Sequence, residues 1–298
     1  MTALTLSGEG GAAAGSAPPR ATPARVTYAR LAWAAWRQYR LRLLALAVLC
    51  AGFAVWELLT GLRVRQVYGQ YTRDHCGTMA AAHACAALPS FEAQPIDEYP
   101  AVVAIALHVL PVLVAVFLAA PLLAAELERG TWRFAWTQGA GRSRWLLTRL
   151  ILLATAVTLA GAALGALGDW LIAPYDAVGI ATPWQGGQFD VTVITEAGWC
   201  LLGFAAGILV GALTKQVVGA MATAGGVVIG LIGVTFFRLD TRLLAAPRGM
   251  AQRPEFSWLS FQPASRYWLF QSLAGGALGV TALALLAAAA WIVRRRLC

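Results

Sequence analysis

Six long apolar windows constrain this chain more than any other feature. Five of them run for about 20 residues with no charge or almost none, and the sixth carries one acid. This is the length that an α-helix needs to cross about 30 Å of hydrocarbon. Apolar residues make up 59% of the chain and charged residues 12%, whereas soluble proteins have roughly 45–50% and about 25%. The sequence therefore predicts an all-α polytopic membrane protein. Its predicted spans are 43–62, 100–125, 146–168, 197–214, 217–237 and 271–293.

Basic residues are distributed unevenly between the predicted loops. With six spans, 15 of the 23 Lys and Arg residues fall on the side that also holds both termini. By the positive-inside rule that side is cytoplasmic. The loop 126–149 is then cytoplasmic, and the loops 63–98, 173–196 and 238–270 are external.

The net charge of +9 would suggest nucleic-acid binding in a soluble protein. Here most of the excess is arginine beside the membrane, where anionic lipid headgroups attract each basic group by about 1 kcal/mol. We therefore expect membrane lipids as partners and no nucleic acid. The external loop 238–270 carries five arginines, which form either a guide for an anionic substrate or a solvated face.

The segment before the first span divides into two parts. Residues 1–25 are rich in Gly, Ala and Pro without apolar periodicity, which predicts a disordered cytoplasmic tail and not a signal peptide. Residues 26–42 place Arg30 and Arg37 on one helical face and Tyr39 on the opposite face. This pattern predicts an amphipathic helix in the inner headgroup layer; the alternative is an ordinary basic flank of the first span.

The sequence ELERGTWRFAWTQGAGRSRWLLTRL, residues 126–150, interrupts the apolar pattern between spans 2 and 3. We expect a helix from Glu126 to Trp136, weakest at Gly130, because Trp132 and Trp136 lie four residues apart and form one stripe. The following TQGAGRSR is typical of a turn. A solvated basic hairpin is the alternative, but it does not explain the two acids that open the segment.

This segment resembles the cytoplasmic signature of ABC-2 type exporter permeases, which reads roughly Glu-x-Gly-Thr, a helical stretch and an Arg-containing turn. The nearest resemblance is to actinobacterial permeases that carry WTQ…R.RW in this loop and a later QPASRYW..FQ, here at residues 262–271. Where the family often has proline in the turn, this chain has Gly139 and Gly141. The resemblance implies that the loop is the coupling helix, which inserts into a cleft of an ATPase subunit. The residues implied in coupling are Glu126, Glu128, Gly130, Thr131, Trp132, Arg133, Arg142 and Trp145.

The resemblance also implies a partner that hydrolyses ATP. No Gly-x4-Gly-Lys-Ser/Thr phosphate loop occurs in this sequence, and neither HExxH nor Gly-x-Ser-x-Gly is present. We therefore expect no enzyme activity and no cofactor in this chain, with ATP and Mg bound by a separate ABC ATPase. The implied assembly is a homodimer or a pair with a paralogous permease, in a bacterial cell membrane. An ion-coupled carrier and a scaffold without transport are the alternatives.

Two cysteines share the predicted external loop 63–98. An oxidising exterior favours a disulfide between Cys76 and Cys85. The neighbouring His75 and His83 also allow a small zinc site, and two free thiols are the third possibility. We favour the disulfide and predict no metal.

Few ionisable groups fall inside the predicted spans, where they are costly and usually functional. Glu57 lies near the outer end of span 1, where its carboxylate can reach the headgroups. Asp169 ends span 3, Glu196 begins span 4, and His108 lies in span 2. No acid pair is expected at mid-depth, which argues against an ion-coupled carrier.

Glycines in span 4 follow a repeated four-residue spacing at Gly203, Gly207 and Gly211. This spacing lets helices approach closely, so we predict a tight packing face there. Single GxxxG pairs in other spans occur often by chance in a Gly- and Ala-rich chain and receive no role.

Overall fold

The computed structural model describes residues 28–73, 99–130, 142–177, 188–235 and 266–296. It contains six helices long and apolar enough to cross a membrane and, among the described residues, no strand. The prediction of an all-α polytopic membrane protein is confirmed. The helices are span 1, Tyr28–Arg73; span 2, Tyr99–Arg129; span 3, Arg142–Ala177; span 4, Val193–Thr214; span 5, Val217–Val234; and span 6, Tyr267–Arg296.

Most helices are longer than the apolar windows from which they were predicted. Span 1 runs without interruption from Tyr28 to Arg73, so no break separates the predicted interfacial segment 26–42 from the membrane span. Residues 63–73 and 173–177, predicted as external loop, are also helical. The reason is physical: a charged residue ends an apolar window, but it does not end a helix.

Span 2 changes its helical type in the middle. Its α-helix 99–113 contains Pro111, a π-helical segment follows over Val114–Ala119, and an α-helix resumes over Ala120–Arg129. A proline ring clashes with the carbonyl four residues earlier in an α-helix. The π segment ends at Ala119, two residues before Pro121, and it contains Phe117, whose carbonyl lies four residues before that proline. The wider turn makes room for the second proline ring.

Span 4 lies at the centre of the bundle. It packs against spans 2, 3, 5 and 6, whereas span 1 packs mainly against span 3. Three glycines of span 4 face the backbone of span 2: a Cβ on Gly203 would lie 2.5 Å from the carbonyl oxygen of Pro111, and one on Gly211 would lie 2.5 Å from that of Ala120. Backbone therefore meets backbone along this contact.

Several polar side chains are enclosed in the bundle, and many large apolar side chains outside its core face outward. Arg149, Glu57 and Gln271 are each at most 1% exposed, whereas Val218 is 80% and Val280 is 70% exposed. In water this distribution would be unfavourable, because large apolar faces would be hydrated. It fits a chain whose surroundings are lipid.

Each end of the bundle contains a buried polar residue, Arg149 at one end and Gln271 at the other. The Arg149 end holds the last turn of span 2 and the connection between spans 4 and 5. The Gln271 end holds the 3-10 helix Phe189–Val191 and the first turns of spans 4 and 6.

Candidate functional site

A buried ion pair joins spans 1, 2 and 3 at the Arg149 end. Arg149 Nη2 of span 3 donates to Glu126 Oε1 of span 2 at 2.6 Å. The Tyr39 hydroxyl of span 1 donates to the same oxygen at 3.2 Å. The guanidinium of Arg149 also lies over the Tyr39 ring, 4.7 Å from its centre. One carboxylate therefore binds two other helices.

Both charges of this ion pair are largely buried. Arg149 is 1% exposed and the Glu126 side chain 16%, so both charges are largely removed from water. Each charge must then be compensated by the other, because a lone charge in a low-dielectric interior costs several kcal/mol. Arg42 adds a positive charge close enough to act on Glu126, and its guanidinium lies 5.9 Å from the Tyr39 ring centre.

The second acid of the segment binds a different helix. Glu128 Oε2 accepts a hydrogen bond from the backbone N–H of Val217 at 2.9 Å. Val217 is the first residue of span 5, and its N-cap Gln216 makes no side-chain capping bond. Glu128 thus caps span 5 from outside, where a negative charge also favours the positive end of the helix dipole.

The helix of span 2 ends at Gly130. Gly130 has φ +66°, the left-handed conformation in which glycine commonly ends a helix. The predicted helix from Glu126 to Trp136 is therefore not continuous and ends at its predicted weak point: Glu126–Arg129 form the last turn of span 2, Gly130 is left-handed, and residues 131–136 lie outside those described. A residue in the αL conformation cannot continue an α-helix. The spacing of Trp132 and Trp136, on which the prediction relied, does not show this.

The predicted coupling residues fall into two groups. Glu126, Glu128 and Gly130 are brought together at the end of span 2. The backbone of Arg142 and Trp145 lies in the first turn of span 3. The residues outside those described are Thr131, Trp132 and Arg133 of the predicted coupling segment 126–150, His75, Cys76, His83 and Cys85 of the predicted loop 63–98, and the predicted tail 1–25.

Sequence reasoning missed Tyr39, Arg149 and the N-terminus of span 5 as parts of this site. Arg149 had a usable signal, because it lies three residues inside the predicted span 146–168. A charged residue at that position requires a partner from another helix. The bond from Val217 had no signal, since any residue can supply a backbone N–H.

The second motif, QPASRYWLFQ, places its last residue in a buried network at the Gln271 end. Gln271 Nε2 donates to the Phe189 carbonyl at 2.9 Å, and Gln271 Oε1 accepts from the Thr192 hydroxyl at 2.7 Å. Thr195 Oγ1 donates to the same Phe189 carbonyl at 3.0 Å. Through these hydrogen bonds Gln271 connects span 6 to the 3-10 helix and to the start of span 4. The motif's first residues, 262–265, lie outside those described.

These features define a polytopic helical membrane protein whose buried polar contacts join its spans at both ends. Residues 45–238, about two thirds of the chain, match the family described as ABC-2 membrane transporter related, and the chain belongs to that family. It is thus a permease-like membrane component of an ABC transporter. No curated protein and no solved structure matches the chain. The nearer resemblance to actinobacterial permeases stays a prediction.

Proposed function

We propose that this chain is the permease subunit of an ABC-2 type exporter and receives force from a separate ATPase at the Arg149 end. The observation that carries the proposal is the attachment of one short segment, Glu126–Gly130, to spans 1, 3 and 5. Family membership supports an ATPase partner in general. The contacts of Glu126–Gly130 support this segment as the site at which the ATPase would act on the permease.

Force applied to the loop 131–141 would reach several helices at once. Its N-terminal side is continuous with span 2, where Glu126 binds Tyr39 and Arg149. Its C-terminal side is continuous with span 3, which contains Arg149. A movement of the loop relative to the bundle must therefore either carry these helices together or break a buried ion pair, which is costly.

Glu128 extends the connection to span 5. Its bond to the Val217 N–H links the end of span 2 to the turn between spans 4 and 5. Glu128 is also exposed, so its second oxygen remains accessible to a partner. In this proposal Glu128 is the docking acid and Glu126, which is directed into the bundle, positions the loop.

The test uses two substitutions at Glu128 that separate its charge from its hydrogen bond. Glu128→Gln keeps an acceptor for the Val217 N–H but removes the charge, whereas Glu128→Arg reverses the charge. We expect both variants to reach the membrane at normal abundance. We expect Glu128→Arg to lose most ATPase co-purification and transport-coupled ATP hydrolysis, because a misplaced charge at a desolvated contact costs several kcal/mol, and Glu128→Gln to lose less.

Arg129→Ala is the matched control, since Arg129 is exposed in the same turn and forms no ion pair among the described residues. It should leave ATPase binding within about twofold of the unmodified protein, as expected for a solvated charge. Unchanged coupling with Glu128→Arg at normal abundance would exclude Glu128 as a docking contact.

The assembly that we propose contains two permease subunits, either two copies of this chain or this chain with a paralogue. ABC-2 family membership supports a multisubunit transporter. Cross-linking of two differently tagged copies of this chain in the membrane distinguishes these assemblies. A homodimer should give a cross-linked product that carries both tags, and a pair with a paralogue should give no such product.

A further inference from the structure

Two glutamates are fully enclosed toward the Gln271 end, away from the coupling segment. Glu57 of span 1 and Glu196 in the first turn of span 4 each have 0% of their surface exposed. A group with no accessible surface has no water-sized space beside it, whether at the exterior or in an internal cavity. Glu57 was expected to reach the headgroups from the end of its span, and that expectation is wrong.

The hydrogen bonding of both carboxyls is incomplete. Neither oxygen of Glu57 has a hydrogen-bond partner in the part of the chain that the structure describes. Glu196 Oε1 accepts a bond from the Cys200 Sγ at 3.5 Å, and Glu196 Oε2 has no partner there. An ionised carboxylate in this condition is strongly disfavoured, because burial removes its hydration without replacing it.

The groups that face the pair add little positive charge. Glu57 and Asp190 of the 3-10 helix both act electrostatically on Glu196. The adjoining elements contribute Asp169 of span 3, which accepts from the Val193 N–H, His108 of span 2, which donates to the Ala104 carbonyl, and Tyr267 of span 6.

The arginine on the same face of span 1 is engaged elsewhere. Arg65 lies two turns beyond Glu57, about 12 Å along a helix. Its guanidinium is stacked 4.4 Å from the Trp170 ring centre and bonded to the Trp170 carbonyl at 3.0 Å. Gly61, midway between Glu57 and Arg65, is itself closed off by the Trp170 ring.

The surroundings of the Glu57 carboxyl are apolar. The position that a Cβ on Gly168 of span 3 would take is bordered by Leu107 Cδ1 at 3.2 Å, Glu57 Oε1 at 3.7 Å and Val103 Cγ1 at 3.8 Å. A metal ion or an ammonium group needs its own volume, and a proton does not. Because Glu57 acts electrostatically on Glu196, the two carboxyls disfavour each other's ionisation unless a positive charge compensates them.

We propose that Glu57 is a proton-binding site, protonated in the conformation in which spans 1, 3 and 4 enclose it, here called the closed form, and that Glu196 opposes its ionisation. Separation of spans 1, 3 and 4 at the Gln271 end would admit water to Glu57 and release the proton. Opening of this end is thereby linked to proton release, and acidic conditions favour the closed form. The site depends on these packed carboxyls and not on an attached ATPase.

The test is infrared spectroscopy of the purified full chain in a detergent without ester groups at about pH 7, where an ordinary glutamate is ionised. A carboxylic acid and a carboxylate absorb in separate bands. We expect a carboxylic-acid band in the unmodified protein and its loss, by about one group per chain, in Glu57→Gln. Glu128→Gln, the control at the exposed acid of the other end, should leave the band unchanged.

Absence of a carboxylic-acid band in the unmodified protein would overturn the proposal, as would a band of undiminished size in Glu57→Gln. Glu57→Gln buries two amide N–H donors at a site where the structure shows no hydrogen-bond partner among the described residues. Glu57→Leu, which brings no polar group into the site, is the second variant: the carboxylic-acid band should decrease in it as well, and an undiminished band would overturn the proposal.

Discussion

Glu126 and Glu128 are two residues apart in sequence and have different structural roles. Two residues correspond to about 200° around an α-helix, so the two acids point to nearly opposite sides of span 2. Glu126 meets Arg149 inside the bundle, and Glu128 meets the N–H of Val217 at its margin. The sequence predicted the acids as one pair of docking residues because it does not show which side of the helix faces the bundle.

Removal of one member of the buried ion pair should be severe. Glu126→Ala leaves the Arg149 guanidinium, which is 1% exposed, without its carboxylate. We expect a loss of about 3–5 kcal/mol of folding stability, measured as reduced membrane abundance and a lower unfolding temperature.

The double variant Glu126→Gln with Arg149→Met is the control for this prediction. It replaces the ion pair with neutral side chains of similar length, so it should be markedly more stable than Glu126→Ala. A double variant as unstable as Glu126→Ala would show that the loss comes from packing and not from the uncompensated charge.

Gln271 should be a second sensitive residue. Gln271→Leu removes both the donor to the Phe189 carbonyl and the acceptor for the Thr192 hydroxyl. We expect about 1–3 kcal/mol of destabilisation, because buried polar groups lose their partners. Ser272→Ala, an exposed neighbour whose hydroxyl bonds only within its own helix, should change the unfolding temperature little; equal effects of both substitutions would contradict this account.

At the scale of elements, the contact between span 4 and the π-helical segment of span 2 determines how closely these helices approach. A Cβ on Gly207 would lie 2.6 Å from Ala119 Cβ and 2.7 Å from the Ala115 carbonyl oxygen. Ala115 and Ala119 both belong to the π segment. Gly207 therefore fits against the wider turn of the π segment. A larger residue at position 207 would disturb this contact.

Gly207→Ala should separate the two helices. We expect about 1–3 kcal/mol of destabilisation, the usual cost of overpacking a filled contact, measured by thermal unfolding in detergent. Gly226→Ala in span 5 is the matched control, because no atom lies within 4 Å of a Cβ placed there. It should be neutral or slightly stabilising, since alanine favours the helix, and a loss as large as that of Gly207→Ala would contradict the packing argument.

The number of membrane-spanning helices was predictable because it depends only on the apolar windows of the sequence. Apolar windows of about 20 residues gave six spans because the bilayer imposes that length. Their ends were less predictable, since span 1 continues helically to Arg73 through residues that carry charges. The π segment was not predicted, because proline spacing alone does not show which turn will widen.

At the scale of the whole molecule, buried polar contacts occupy both ends of an otherwise apolar bundle. The Arg149 end contains the ion pair that joins spans 1, 2 and 3, and the Gln271 end contains the network that joins the start of span 4 to span 6. Sequence reasoning found the first region through its charges and located Glu57 and Glu196 near the ends of spans, but it did not predict that both acids are enclosed. Hydropathy locates a glutamate along a span, but the side on which it packs depends on neighbouring helices.

The orientation of this bundle in the membrane is the prediction on which the proposed function depends. An ATPase can reach the coupling segment only if the Arg149 end faces the cytoplasm, as the distribution of basic residues predicts. In a variant without its native cysteines, we expect Ala140→Cys to resist a membrane-impermeant maleimide in intact cells and to react after permeabilisation. Ala93→Cys, in the predicted external loop, should react in intact cells. The opposite pattern, Ala140→Cys labelled from outside and Ala93→Cys protected, would put Glu128 on the wrong side for an ATPase, so the coupling proposal would fail even though the helix bundle itself would stand.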